Sequence, residues 1–325
     1  MAQTTIRIGT RESQLAVWQA TLVKDLLKQN GISSELVYIK SEGDIDLVTP
    51  LYDLGVQGIF TKTLDAALLN NRIDIAVHSM KDVPTKLAQG IKQASVLKRA
   101  SYKDILVYKK EADLHQIGFV DGVWNGVEAN LQDVNSSFTI ATSSIRRKAQ
   151  WLHRYPQHQV ENLRGNVNTR MRKVEESNWN GAIFAGAGLE RIDLRPKNSV
   201  DLDWMLPAPS QGAIMVVCRD DDGFSFDACQ PFNDKPTAVC TKIEKDFLRV
   251  LMGGCSTPIS ALAELKDDTI FFRGNLCSVN GEHKIDVTKE VHFSESENLG
   301  TIAANELLQN SKAKQILAEI RNAKN

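Results

Sequence analysis

The stretch TKTLDAALLNNRIDIAVHSMKDVPT, residues 61–85, decides the fold class. Its first part, TKTLDAALLNN, reads as a helix. The next part, IDIAVHS, is a short apolar run of the kind that fills a strand covered on both faces. It ends in a polar turn, Met80-Lys81-Asp82, before Pro84. A helix feeding a buried strand that opens on a polar loop is the repeating unit of an α/β sheet, and such sheets bind ligands beyond their strands' carboxyl ends.

The same unit recurs to either side. IRIG is a strand leading into the helix TRESQLAVWQATLVKDLLKQN, whose Leu15, Trp18, Leu22 and Leu26 keep helical spacing, and ELVYIK is the next strand. The alternation predicts a parallel sheet with covered faces. It restarts at DILVYKK and, after a Gly-, Asn- and Asp-rich stretch to about residue 137, runs through FTIAT, HQVENL and GAIFAGA with the helices SSIRRKAQWLHRY and GNVNTRMRKVEES. GAIMVVCR is one more strand, returning to the first domain. From Thr237, a candidate N-cap, an amphipathic helix carries Val239, Ile243, Phe247 and Leu251 and closes at Gly253. The strands TIFFRGNLC and HKIDVTKE follow, joined by an Asn280-Gly281 turn, and one helix from about residue 296 ends the chain. The expected architecture is two α/β domains, residues 1–100 with 212–232 and residues 103–207, plus a smaller α+β domain over residues 237–325.

The 325 residues are 42% hydrophobic and 24% charged with a net charge of −1, which gives no reason to expect nucleic acid. No apolar run approaches the roughly 20 residues of a membrane span, so a cytoplasmic protein is expected. Five cysteines without a CxxC pair argue against a disulfide framework and against zinc, so no metal is expected. Charge is unevenly distributed. Between Ala141 and Val174 eight basic residues face one acid, Glu161, whereas a solvated helix face mixes signs. This segment is expected to meet an anion.

Four polar clusters fall at strand ends: Thr10-Arg11-Glu12-Ser13, His78 to Asp82, Thr142-Ser143-Ser144 with Arg146-Arg147, and Arg164-Gly165-Asn166. Each Ser or Thr is by itself an ordinary helix cap. Together they place hydroxyls, backbone N–H groups and arginines around one cleft, and the planar guanidinium suits carboxylates and phosphates. Asp82 is the acid among these cations. It is either a solvated turn residue or a carboxylate able to move protons and stabilise developing positive charge. His78 is given no catalytic role. Cys255, in LMGGCSTPIS (251–260), lacks the neighbouring base that a hydrolase nucleophile needs, and it remains either a buried thiol or an attachment point with room beside Gly253-Gly254.

Eight segments in order, IRIGTRESQLAVWQA, GIFTK, DIAVHSMKDVPT, ATSSIRRKAQ, LRGNVNTR, AGLERI, PAPSQGAI and LMGGCSTPI, resemble the hydroxymethylbilane synthases, also called porphobilinogen deaminases, over nearly the full length. The resemblance implies two domains built like periplasmic binding proteins with the active cleft between them, a monomer, and a dipyrromethane cofactor joined to Cys255 by a thioether. It further implies a transferase of heme biosynthesis that joins four porphobilinogen molecules head to tail on this primer, releases ammonia each time, and frees 1-hydroxymethylbilane by hydrolysis. On matching positions, Asp82 is the catalytic residue. Lys81, Thr142, Ser144, Arg146, Arg147 and Arg164 would hold the cofactor; Arg11, Ser13, Phe60, Arg170, Arg191 and Gln211 would hold substrate. Gln57 stands where the family pattern has a lysine, Thr63 where it has a glutamate, and residues 112–137 exceed the usual length. A non-catalytic two-lobed binder of organic anions is the alternative, against which Asp82 and the cysteine-bearing third domain argue.

Overall fold

In the computed structural model, which describes residues 5–40, 61–120, 123–124, 138–252 and 257–322, the chain opens with β1 (Ile6–Thr10), α1 (Gln14–Gln29), β2 (Ser34–Tyr38), α2 (Lys62–Leu69) and β3 (Ile75–Ser79). A 3-10 turn at Met80–Asp82 ends β3, and β4 (Ile91–Val96) follows. The chain then crosses to β5 (Asp104–Tyr108), α3 (Glu111–Gln116), β6 (Phe119–Val120), β7 (Val123–Trp124), β8 (Thr139–Ala141) and α4 (Ile145–Arg154). Next come β9 (Gln159–Glu161), α5 (Val167–Glu176), β10 (Gly181–Ala185), α6 (Gly186–Glu190) and β11 (Ser199–Asp201). It returns through β12 (Ile214–Arg219) and α7 (Gly223–Cys229).

The first sheet has the order β2-β1-β3-β12-β4 and the second β11-β5-β10-β8-β9. Both are mixed, which corrects the expectation of parallel sheets. β1 runs parallel to β2 and β3, and β8 parallel to β9 and β10, but β12 is antiparallel to β3 and β4, and β5 to β10 and β11. The reversals fall on the strands that enter or leave a sheet at the crossings, where no helical crossover sets the strand direction. β3 lies at the centre of its sheet, so Ile75, Ala76 and Val77 are buried on both faces.

Helix α1 shows a second difference. Its buried face is Gln19, Ala20, Val23 and Leu27, turned from the Leu15-Trp18-Leu22-Leu26 stripe. Leu22 and Leu26 still pack at the edge of this core, and the N-terminal end of the helix meets the other lobe: the Arg191 guanidinium lies 5.7 Å from the Trp18 ring centroid, and the Asn168 amide donates to Gln14 Oε1 at 3.0 Å.

The last part of the chain comprises α8 (Lys235–Val250), an antiparallel sheet β13 (Ile259–Lys266), β14 (Thr269–Cys277) and β15 (Lys284–His292), then α9 (Leu299–Leu307) and α10 (Ser311–Asn322). The cap of α8 is Asp234, which accepts from the Thr237 N–H at 2.9 Å, and Thr237 lies inside the first turn. Proline in that turn needs no amide partner, so the helix starts earlier than Thr237 suggests. The expected Gly253 cap lies outside the described residues. The single C-terminal helix is two, because Asn310 accepts from the Lys312 N–H at 2.9 Å and starts a second one. Ile243, Phe247 and Leu251 pack with Phe272, Leu276 and Ile316 in this domain's core.

One buried ion pair ties the crossings to the C-terminal domain. Glu244, on α8 and fully buried, accepts from Arg99 Nη1 at 2.6 Å and Nη2 at 3.1 Å, from the Ser210 N–H at 2.5 Å and from the Ala263 N–H at 2.8 Å. Arg99 lies on the outward crossing and Ser210 on the return. Gly212 stands where these crossings touch. Its φ is +87°, and a Cβ there would lie 2.7 Å from the carbonyl oxygens of Ala100 and Ser101, so only glycine fits. Among the described residues no helix is long and apolar enough to cross a membrane.

Candidate active site

The cleft residues come from carboxyl ends of parallel strands: Arg11 and Ser13 after β1, Lys81 and Asp82 after β3, Thr142 and Ser144 after β8, and Arg164 after β9. Helices α4 and α5 begin at those ends, so their positive N-termini open on the same space. Neither helix has an acid in its first turn; α4 instead carries Arg146 and Arg147 there. Two cations at the positive end of a dipole are unfavourable unless an anion joins them.

The hydroxyls do local work. Ser144 caps α4, its Oγ accepting from the Arg147 N–H at 3.5 Å, and Thr142 Oγ1 accepts from the Ser144 N–H at 3.2 Å. Asn166 caps α5, accepting from the Thr169 N–H at 3.0 Å. Gly165, at φ +114°, precedes that cap, and a Cβ there would overlap Thr169 at 2.7 Å. Ser13 occupies the cap position of α1 without using its hydroxyl as a cap.

At the centre is Asp104, the first residue of β5, which sequence reasoning missed. It is fully buried and accepts four hydrogen bonds: Arg146 Nη2 at 2.6 Å, Arg147 Nε at 3.1 Å and Nη2 at 2.8 Å, and Gln211 Nε2 at 2.8 Å. Burial pushes its pKa up, but Arg146 and Arg147 outweigh that and hold it at about 2. Arg146 also donates to the Leu206 carbonyl at 2.6 Å, and Arg147 to that of Ile183 at 3.1 Å. Gln211 is buried; its Nε2 also donates to the Tyr102 carbonyl at 2.8 Å, and its Oε1 accepts from Lys81 Nζ at 3.4 Å.

Lys81 is pushed down to about 8 by burial, partly countered by Asp82, with Arg147 and Arg146 adding repulsion. Arg170 is pushed down to about 10 by burial, with Arg147 and Arg164 repelling it and Asp82 attracting it. These mutual influences place Lys81, Arg146, Arg147, Arg164 and Arg170 around two carboxylates, Asp82 and Asp104. Positive charge is left over. Asp82 is half-buried, and among the described residues no hydrogen bond holds its carboxylate. Burial, with Arg11 and Lys245 adding to it, pushes His78 down to about 4, so it is neutral near pH 7. Arg191 sits at the side of the cleft, donating to the Gly212 carbonyl at 2.7 Å. Phe60, Gln57 and Cys255 lie outside the described residues.

The buried Nε atoms of Arg146 and Arg170 have no acceptor among the described residues. Cations with spare buried donors suit a ligand bearing several carboxylates, as a dipyrromethane with acetate and propionate side chains does. The dipyrromethane-cofactor-binding domain profile of porphobilinogen deaminase matches residues 6–225, and the C-terminal domain profile of the same enzyme matches residues 238–309. The chain belongs to the porphobilinogen deaminase family. The porphobilinogen deaminase of Syntrophotalea carbinolica is 37% identical over 324 residues, covering 98% of this chain and 97% of that relative. Remote structural likenesses include the methionine-binding protein MetQ, at 12% identity over 72% of this chain and 92% of that one with a TM-score of 0.42. A nutrient-binding protein from Burkholderia cenocepacia bound to methionine is 14% identical over 75% and 95%, with a TM-score of 0.41. These remote likenesses assign no ligand to this chain.

Proposed function

We propose that this porphobilinogen deaminase joins porphobilinogen molecules head to tail on a dipyrromethane held covalently through Cys255, with Asp82 as the catalytic residue. The observation that carries the reading is the surplus of cations gathered around Asp82. Lys81, Arg146, Arg147 and Arg164 would hold the cofactor carboxylates, with Thr142 and Ser144 shaping the helix start beneath them. When bound, the dipyrromethane supplies the free pyrrole carbon on which the product chain is started.

Arg11, Ser13, Phe60, Arg170, Arg191 and Gln211 are assigned to substrate. Gln211 acts from beneath the surface, since its amide is engaged by Lys81, Tyr102 and Asp104. The Asp82 carboxylate accepts from the substrate's pyrrole N–H and keeps the aminomethyl group as its ammonium, the form that leaves as ammonia. As the carbon–nitrogen bond of the aminomethyl group breaks and ammonia leaves, positive charge spreads onto the pyrrole nitrogen. The Asp82 carboxylate stabilises it. When the substrate's methylene carbon has bonded to the terminal pyrrole carbon of the chain, that pyrrole carbon gives up its ring proton, and Asp82 would accept it. After four additions, hydrolysis releases 1-hydroxymethylbilane.

The remaining cysteines support Cys255 as the attachment point. Cys218, Cys229, Cys240 and Cys277 are buried, and burial pushes their thiols up to about 11, 12, 11 and 12. Thiols that resist ionisation are poor nucleophiles. Intact-mass measurement tests the reading: the purified protein gains the mass of two pyrrole units, and Cys255→Ala does not. An unmodified chain that still releases ammonia from porphobilinogen rules the attachment out.

A further inference from the structure

We infer that Asp104 is the positioning residue of the anion site: it sets the spacing of Arg146 and Arg147 directly, and of Lys81 through Gln211, before any ligand arrives. The inference rests on the functional reading above and adds a residue that none of the eight family-like segments contains.

The argument begins with cost. A buried carboxylate without partners is strongly unfavourable, and so are adjacent buried guanidinium groups. Asp104 and the two arginines resolve both penalties in one arrangement. Oδ2 takes Arg146 Nη2, while Oδ1 takes Arg147 through two nitrogens and Gln211 through one. Each guanidinium is also fixed from another side, by the carbonyls of Leu206 and Ile183, so neither can swing without losing two kinds of partner. Gln211 extends the order to the other lobe. Its Nε2 is committed to Asp104 and the Tyr102 carbonyl, which leaves Oε1 aimed at Lys81. The identity of each end of that amide is therefore dictated by Asp104.

Asp104 and Asp82, two negative charges among five cations, reduce their repulsion without cancelling it. The cluster can fold empty and still attract a polycarboxylate. A ligand meeting preset donors loses less free energy to ordering them than one that must gather splayed side chains.

The test uses Asp104→Asn and Asp104→Glu beside the wild-type protein, each purified as expressed. The fraction carrying two added pyrrole units is read by intact mass, kcat and KM for porphobilinogen are taken per loaded molecule, and folding is compared by thermal melting. Asp104→Asn is expected to cut loading and to raise KM by about tenfold, the equivalent of one lost charge-assisted hydrogen bond. Asp104→Glu keeps the charge one methylene away and is expected to recover part of both losses. A folded Asn variant that loads and binds like wild type overturns the inference, as does a folded Glu variant no better than Asn. Should the Asn variant not fold, the Glu variant decides alone: wild-type loading and KM overturn the inference, and a deficit at an unchanged melting temperature supports it. An unmodified wild-type protein overturns the functional reading and this inference together; a loaded wild type beside equally loaded variants overturns this inference only.

Discussion

Raising the pH from 7 to 10 should weaken binding of a carboxylate-bearing pyrrole by a path that the structure specifies. Lys81 has its pKa pushed down to about 8, chiefly by burial. A bound carboxylate gives the ammonium a partner and moves its pKa back toward the ordinary value of about 10.4. Binding therefore takes up a proton wherever the free protein has lost it, which is above pH 8. Below pH 8 the affinity is flat. Above it, the dissociation constant rises about tenfold per pH unit until the bound-state pKa is reached, a total of about a hundredfold by pH 10.

The protein should be Cys255→Ala, in which no tethered dipyrromethane already pairs Lys81, and the ligand porphobilinogen with methyl in place of aminomethyl, so that no ligand amine titrates in this range. Calorimetric titration in two buffers of different ionisation enthalpy counts the protons directly, with uptake of about 0.9 proton expected at pH 9. Lys81→Arg keeps its charge across the range and should bind with a flat profile to about pH 9, above which Arg170, pushed down to about 10, begins to contribute. An affinity of Cys255→Ala unchanged from pH 7 to 10, or the same slope once Lys81→Arg is added to it, refutes the assignment of Lys81 as an anion contact.

Asp82→Asn should leave substrate affinity within a few-fold of wild type while lowering turnover by about a hundredfold or more, the scale of a lost general acid–base group. Stopped-time ammonia release measures this, and near-normal turnover removes Asp82 from the chemistry. Glu244→Gln should destabilise the protein by about 3–5 kcal/mol, because an amide nitrogen then faces donors that the carboxylate accepted from. Urea denaturation reads the loss, and a change below about 1 kcal/mol would show that Arg99–Glu244 does not hold the crossings to the C-terminal domain.

The first α/β repeats were legible because helices and buried strands differ in apolar period, and residues 61–85 show both within 25 positions. β4 escaped notice because IKQASV interleaves polar residues, and Ser95 is buried all the same. The arginine cluster was legible as a charge imbalance and Asp82 as the acid within it. Asp104 was not: an acid opening an apolar strand looks like a strand end in water, and its partners lie 42, 43 and 107 residues away. Glu244 left a faint signal. It adjoins Ile243 and precedes Phe247 by three, which puts a charge on the buried side of α8 and calls for a partner there.

Period, capping residues and charge asymmetry are local, so the sequence by itself determined the α/β class, the C-terminal hairpin, the arginine-rich segment and the family. Strand direction at the crossings, the contact of the N-terminal end of α1 with the other lobe and the pairing of buried charges depend on which distant surfaces meet. Those were decided only by the tertiary structure, because a buried charge is tolerable only beside its counter-charge, and that neighbour is supplied by folding rather than by sequence proximity.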